Sequence, residues 1–174
     1  MNEPILIIFG GLPGTGKTTL SKELAKQLKA VYLRVDTIEQ ALINVSNILI
    51  GPEGYLISYA LAQENLRLGL SVVADSVNPI ELTRKDWQEV ARSMAVKFVE
   101  IEIVCSDSIE HKRRVETRSS DIVGHRLPTW DEVKTRDYEQ WDSVSLRIDT
   151  AEYSPDEAIK KIRTYIEGIN LWQR

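Results

Sequence analysis

A short apolar run, Ile5-Leu6-Ile7-Ile8-Phe9, leads into Gly11-Leu12-Pro13-Gly14-Thr15-Gly16-Lys17-Thr18, and Leu20, Leu24 and Leu28 follow at helical spacing. The eight central residues fit G-x-x-x-x-G-K-[ST], and their flanks supply the strand and the helix that turn this pattern into a site. Glycines let backbone N–H groups converge on phosphate oxygens without side-chain obstruction. The helix that follows adds the positive end of its dipole. Lys17 is then placed for the β- and γ-phosphates, and the Thr18 hydroxyl for Mg2+. The stretch Gly11, Leu12, Pro13, Gly14, Thr15, Gly16, Lys17, Thr18 and Thr19 is expected to hold a nucleoside triphosphate. The plain alternative, a Gly-rich turn with an incidental lysine, leaves the strand and helix on either side without a reason.

A chain of 174 residues is expected to form one domain, residues 1–174, with room for a proper core. An apolar fraction of 43% and a charged fraction of 28% are ordinary for a soluble globular protein. No apolar run approaches the roughly 20 residues that span a bilayer. The start, Met1-Asn2-Glu3-Pro4, lacks the basic opening of a signal peptide. The single cysteine, Cys105, makes no internal disulfide; at the end of an apolar run it reads as a buried or half-buried thiol rather than a nucleophile. Together these predict a reducing, cytoplasmic setting and no membrane partner. The formal charge of −4 argues against a general nucleic-acid binder but leaves room for one local basic pocket.

Five apolar runs, at about 5–9, 31–35, 71–75, 97–104 and 144–149, read as buried strands of a parallel sheet. Helical spacing lies between them, in Trp87, Val90, Ala91 and Met94, and again in Ile159, Ile162, Ile166 and Ile169. Asn78-Pro79-Ile80-Glu81, Thr129-Trp130-Asp131-Glu132 and Ser154-Pro155-Asp156-Glu157 carry helix-start signals. Strands alternating with helices imply βαβ crossovers and a three-layer α/β domain. Residues 44–54 and 119–129 read as loops, the second exposed and mobile. Both are expected near strand ends, where open α/β sheets bind ligands.

Asp36 is expected to end the second strand and face the nucleotide, as a proton acceptor or an acceptor-binding group. Capping the helix that starts near Thr37 is its other reading. Asp75 closes the apolar run Val72-Val73-Ala74 and reads as a carboxylate that helps hold Mg2+. Asn78 reads as a helix cap before a substrate ligand, and Arg84 as either an anion contact or a solvated side chain. From 112 to 126 the basic residues Lys112, Arg113, Arg114, Arg118 and Arg126 outnumber Glu116 and Asp121. Arg114 and Arg118 share one helix face and are candidates for clamping phosphate oxygens, against the alternative of a solvated face. His111 and His125 have no cluster at metal spacing and predict no zinc site. Trp130, Trp141 and Val133 read as one core-packing face.

The loop, the two acidic strand ends and Arg114-Val115-Glu116-Thr117-Arg118 followed by Gly124-His125-Arg126-Leu127-Pro128-Thr129-Trp130 resemble the small P-loop kinases. Within them the chain looks like the AAA-type predicted-kinase group, which includes relatives of polynucleotide 5′-kinase domains, zeta toxin and chloramphenicol phosphotransferase. The resemblance spans nearly the whole chain. It implies a five-stranded parallel sheet in the order 2-3-1-4-5 and an arginine-bearing lid at about 111–130. It implies Asp36 as base or acceptor-binding carboxylate, Arg114 near the adenine or phosphates, and Arg118 on the transferring phosphoryl. Asp149-Thr150-Ala151 would border the base, so Thr150 joins the nucleotide contacts, and Thr18 and Asp75 the metal. The expected activity is ATP- and Mg2+-dependent transfer of the γ-phosphate to a small-molecule hydroxyl, with Lys17, Asp36 and Arg118 catalytic. A nucleotide-dependent regulatory ATPase and a polynucleotide 5′-end kinase are the alternatives. The second is weakened because no arginine directly follows Asp36.

Overall fold

The computed structural model describes residues 3–46, 51–142 and 144–171, and among them five strands form one sheet. The strands are β1 (Ile5–Gly10), β2 (Val31–Arg34), β3 (Val72–Asp75), β4 (Lys97–Val104) and β5 (Leu146–Asp149). Every pairing is parallel, in the order β2-β3-β1-β4-β5. The helices are α1 (Lys17–Leu28), α2 (Val35–Ser46), α3 (Glu53–Arg67), α4 (Glu81–Ser93), α5 (Ser108–Thr117), α6 (Trp130–Lys134) and α7 (Pro155–Leu171).

Central β1 is buried along its whole length, which explains why it is apolar without alternation. Ile5, Ile7 and Phe9 face Leu20 and Leu24 of α1 and Ile159, Ile162 and Ile166 of α7. Leu6 and Ile8 face the other layer, with Leu66 of α3 and Trp87, Val90 and Ala91 of α4. Trp87 is fully buried, its ring edge-on to Tyr59 at 4.6 Å. After β1 the chain builds towards β2 and β3, then crosses back to β4. The carboxyl end of β1 is therefore the switch point of the sheet, where a crevice opens.

Several local expectations are corrected. The second strand stops at Arg34 and α2 begins at Val35, so Asp36 stands in the first turn of a helix, neither at a strand end nor at a cap. The expected loop at 44–54 is partly helix: α2 runs to Ser46 and α3 starts at Glu53, while 47–50 lie outside the described residues. Asn44 stays helical because its side chain accepts a bond from Gln40 one turn earlier, at 2.9 Å. Asn78 does not cap α4, whose N-cap is Ile80. It adopts a left-handed backbone (φ 50°) and donates to the Phe9 carbonyl at 2.9 Å, tying the exit of β3 to β1. The starts at Thr129 and Ser154 do carry reciprocal side-chain caps, through Glu132 and Glu157.

Candidate active site

The loop between β1 and α1 owes its shape to glycine. Gly14 and Gly16 take φ of 89° and 91°, values that side-chain-bearing residues rarely adopt. A Cβ on Gly14 would stand 2.5 Å from Val115 Cγ2, because α5 packs directly on the loop. His111 of α5 fixes that contact; a carbonyl only accepts, so its Nε2–H donates to the Pro13 oxygen at 2.9 Å. Leu12, Pro13, Gly14, Gly16, Lys17, Thr18 and Thr19 all line a cleft of about 800 Å³. Gly11 and Thr15 do not; they brace it from behind. Gly11 N donates to Val77 O at 3.1 Å, and the buried Thr15 hydroxyl donates to Leu12 O at 2.9 Å.

Under the loop lies a buried pair. Lys17 Nζ is 3.1 Å from Asp75 Oδ1, with side chains 7% and 1% exposed. Tyr32 donates its hydroxyl to Asp75 Oδ2 at 2.6 Å. Burial pushes the Asp75 carboxyl up, but the Lys17 charge and hydrogen bonds from Tyr32, Lys17 and Thr18 outweigh it and hold it below the usual range. Burial and the adjacent carboxylate drive the Tyr32 phenol well above its ordinary value, so it stays a donor. An ionised carboxylate is thus kept next to the Thr18 hydroxyl, a hard-oxygen arrangement that suits Mg2+.

The basic run divides into two roles. Arg114 donates to Thr150 Oγ1 at 2.8 Å and to Thr150 O at 3.1 Å. Thr150 Oγ1 in turn donates to Thr15 O at 2.7 Å. Thr150 therefore joins α5 to the loop from behind, with its methyl group 3.5 Å from where a Gly16 Cβ would stand. α5 stops at Thr117 and Arg118 follows in extended backbone (ψ 150°), so it does not share a helix face with Arg114 as expected; it is half-buried and lines the cleft, its Nε and Nη2 without a hydrogen-bond partner. Burial and the Arg34 charge lower its pKa, against the pull of Asp36. The segment after it, 118–129, has no regular structure and runs across the cleft to α6.

Beyond the loop, Asp36 lines the same cleft, 3.7 Å from Arg34 Nε. Three residues here escape the sequence reading: Arg34, Glu39 and Tyr55. Arg34 sits between Leu33 and Val35 and passes for an ordinary strand residue. Glu39 had a signal, its three-residue spacing from Asp36, which puts both carboxylates on one helix face. Burial and the Asp36 charge raise the Glu39 carboxyl to about 7. Arg84 does not face the cleft. It is buried, donates to the Asn78, Glu139 and Gln140 carbonyls, and lies over the Trp141 ring. Trp141 and Val133 are core residues as expected, whereas Trp130 is half-buried, edge-on to His111 at 5.1 Å.

A sheet of this order with this loop at its switch point is the fold of a P-loop kinase. The chain belongs to the AAA domain family AAA_33, whose model matches residues 6–132. It is similar to L-seryl-tRNA(Sec) kinase of Methanococcus maripaludis, 26% identical over 180 residues that cover 96% of this chain and 68% of the relative. The fold is shared with the Mycobacterium tuberculosis APS kinase CysC solved with AMPPNP and APS, at a TM-score of 0.73 and 16% identity over 96% of this chain and 99% of that one. It is also shared with a gluconokinase from Sinorhizobium meliloti 1021, at 0.68 and 16% identity over 98% and 95%. No helix among the described residues is long and apolar enough to cross a membrane.

Proposed function

We propose that the chain is an ATP-dependent phosphotransferase that moves the γ-phosphoryl group to a hydroxyl of a small molecule. The observation that carries this reading is one cleft lined at once by the phosphate loop, Asp36 and Arg118. Asp36 and Arg118 supply that cleft with a carboxylate for the acceptor hydroxyl and a guanidinium for the transferred charge.

Lys17, the loop amides and the dipole of α1 hold the triphosphate. Thr18 and Asp75 are the residues that would hold Mg2+, which when bound neutralises charge on the β- and γ-oxygens. Asp36 accepts the proton of the acceptor hydroxyl as its oxygen bonds to the γ-phosphorus. The bond from that phosphorus to the β–γ bridging oxygen breaks, and ADP leaves with the electron pair. Arg118, with donors to spare, stabilises charge on the moving group. The 118–129 segment excludes water as it closes. Support for a hydroxyl acceptor also comes from the seryl-tRNA kinase relative, and the net charge of −4 favours a small molecule over a polyanion.

The test is acceptor-stimulated ADP release across a panel of sugars, hydroxy acids, antibiotics and total tRNA, run beside Asp36→Asn. Stimulation by a small molecule, lost in Asp36→Asn while ATP affinity holds within about threefold, is the expected result. ATP hydrolysis indifferent to every acceptor would make the chain a nucleotide-dependent regulatory ATPase instead.

A further inference from the structure

Three buried guanidinium nitrogens in the cleft have no hydrogen-bond acceptor: Arg34 Nε, Arg118 Nε and Arg118 Nη2. Buried donors left unmade are costly, so a fold that keeps three of them together keeps them for something. The Arg34 side chain is only 10% exposed, pinned at the carboxyl end of β2. Its Nη1 is occupied by Asp121 of the lid segment, at 2.7 Å. The same carboxylate pairs with Lys22 of α1. Asp121 is itself 52% exposed. Lys22 and Arg34 hold the Asp121 carboxyl well below its usual range, and its exposed side leaves it open to exchange with another anion. A carboxylate on a mobile-type segment thus rests on a guanidinium that the body of the protein holds still.

Charge gives the direction. Without Asp121, Arg34 keeps the longer contact to Asp36, at 3.7 Å, and Arg118 has no ion pair among the described residues. The triphosphate does not account for Arg34, which pairs with α2 rather than with the phosphate loop.

We propose that Arg34 binds an anionic group carried by the acceptor, and that Asp121 occupies this place until the acceptor arrives. The inference rests on the phosphotransfer reading and names its substrate class: a hydroxyl compound bearing a phosphate or carboxylate close to the reacting hydroxyl. Closeness follows from the 3.7 Å between Arg34 Nε and Asp36 Oδ2. An oxyanion on the guanidinium and a hydroxyl on the carboxylate then belong to neighbouring positions of one small molecule. Anionic and neutral acceptors differ by whether they displace Asp121, so binding and lid rearrangement are one event.

The binding test is calorimetric titration with inorganic phosphate, with AMPPNP and Mg2+ saturating so that the triphosphate positions are filled. Wild type should bind phosphate; Arg34→Gln should weaken it by about tenfold or more, and Asp121→Asn, which removes the competitor, should tighten it by about threefold or more. The two variants push in opposite directions, so a folding defect in one does not decide the matter. Phosphate binding in Arg34→Gln within about twofold of wild type, or no tightening in Asp121→Asn, overturns the proposal.

The acceptor test compares glycerol, glycerate and glycerol 3-phosphate, and ribose with ribose 5-phosphate, in ADP release. Anionic members should exceed their neutral partners by about tenfold or more in kcat/KM, with the gap closing in Arg34→Gln. A preference for the phosphates or for glycerate identifies the anion. Equal use of a neutral partner overturns the proposal. ADP release by none of them, with phosphate binding intact and sensitive to Arg34, counts against the kinase reading and leaves the anion site standing.

Discussion

Lys17 is engaged before any nucleotide arrives, and this shapes what its removal does. It faces Asp75 at 3.1 Å with both groups out of water. Removing one member of such a pair strands a buried charge, at about 3–5 kcal/mol. Lys17→Ala should therefore lose about 3 kcal/mol in urea melts as well as about a hundredfold or more in turnover, the scale of deleting one transition-state donor. Lys17→Ala with Asp75→Asn should recover most of the stability and none of the turnover. Additive losses in that cycle would show that the two residues do not interact. Glu39 makes a prediction of opposite kind. Its carboxyl stands at about 7 in the fold against an ordinary 4.5. The native state therefore binds this proton more tightly, and its stability falls as pH rises through that interval. Glu39→Gln should remove the fall. It should raise stability by about 1–2 kcal/mol near pH 8, allowing for solvent screening, and leave it unchanged near pH 4. Equal melts of variant and wild type at both pH values would mean that Glu39 ionises as freely as in water.

At the level of elements, α5 is tied to the phosphate loop directly through His111 and a second time through a single hydroxyl. Thr150 Oγ1 receives Arg114 at 2.8 Å and gives to Thr15 O at 2.7 Å. Thr150→Val keeps the shape and removes the hydroxyl's bonds to Arg114, Thr15 O and Val104 O, a loss of about 1–2 kcal/mol; the share of it that falls on the loop's phosphate-binding shape should appear as weaker ATP binding, up to about five- to thirtyfold. Unchanged affinity would make this bridge a packing contact only. The bridge marks the limit of what sequence shows. Thr150 enters the sequence reading only through family resemblance, and its bonds span 36 and 135 residues. The sequence does show β1, as an unbroken apolar run buried on both faces, and α1 and α7, each of which buries one continuous apolar face. It fails at the β2–α2 junction, where Arg34-Val35-Asp36 turns from strand to helix with no glycine, proline or cap to announce it. Asn78 misleads for a related reason. Its sequence neighbours promise a helix cap, while its actual partner, the Phe9 carbonyl, lies 69 residues away. The nucleotide end of the cleft was legible because one contiguous motif builds it. The other part of the cleft was not, because its lining is gathered from β2, α2, α3 and the segment 118–129, which lie far apart in the chain.

Taken whole, the molecule concentrates positive charge against its own net balance. The chain carries −4, yet seven Lys or Arg line the cleft against four Asp or Glu. A ligand that binds only the folded state adds its binding free energy to stability, about 2.7 kcal/mol at a hundred times Kd. For a domain of this size AMPPNP with Mg2+ should therefore raise Tm by roughly 5–11 °C. Arg118 separates binding from chemistry within that response. Its unpartnered nitrogens stand just past the end of α5, and Arg118 is not part of the loop motif proposed to hold the triphosphate. Contacts of this kind are worth more to the charge that develops during transfer than to the resting complex. Arg118→Ala should keep most of the AMPPNP-induced rise in Tm and change ATP affinity only about threefold, while turnover falls by about tenfold or more. Loss of the Tm rise would place Arg118 on the ground-state triphosphate. Turnover near wild type would make the basic run of α5 a solvated helix face, and would move the burden of stabilising the transferred group onto Lys17 and the loop alone.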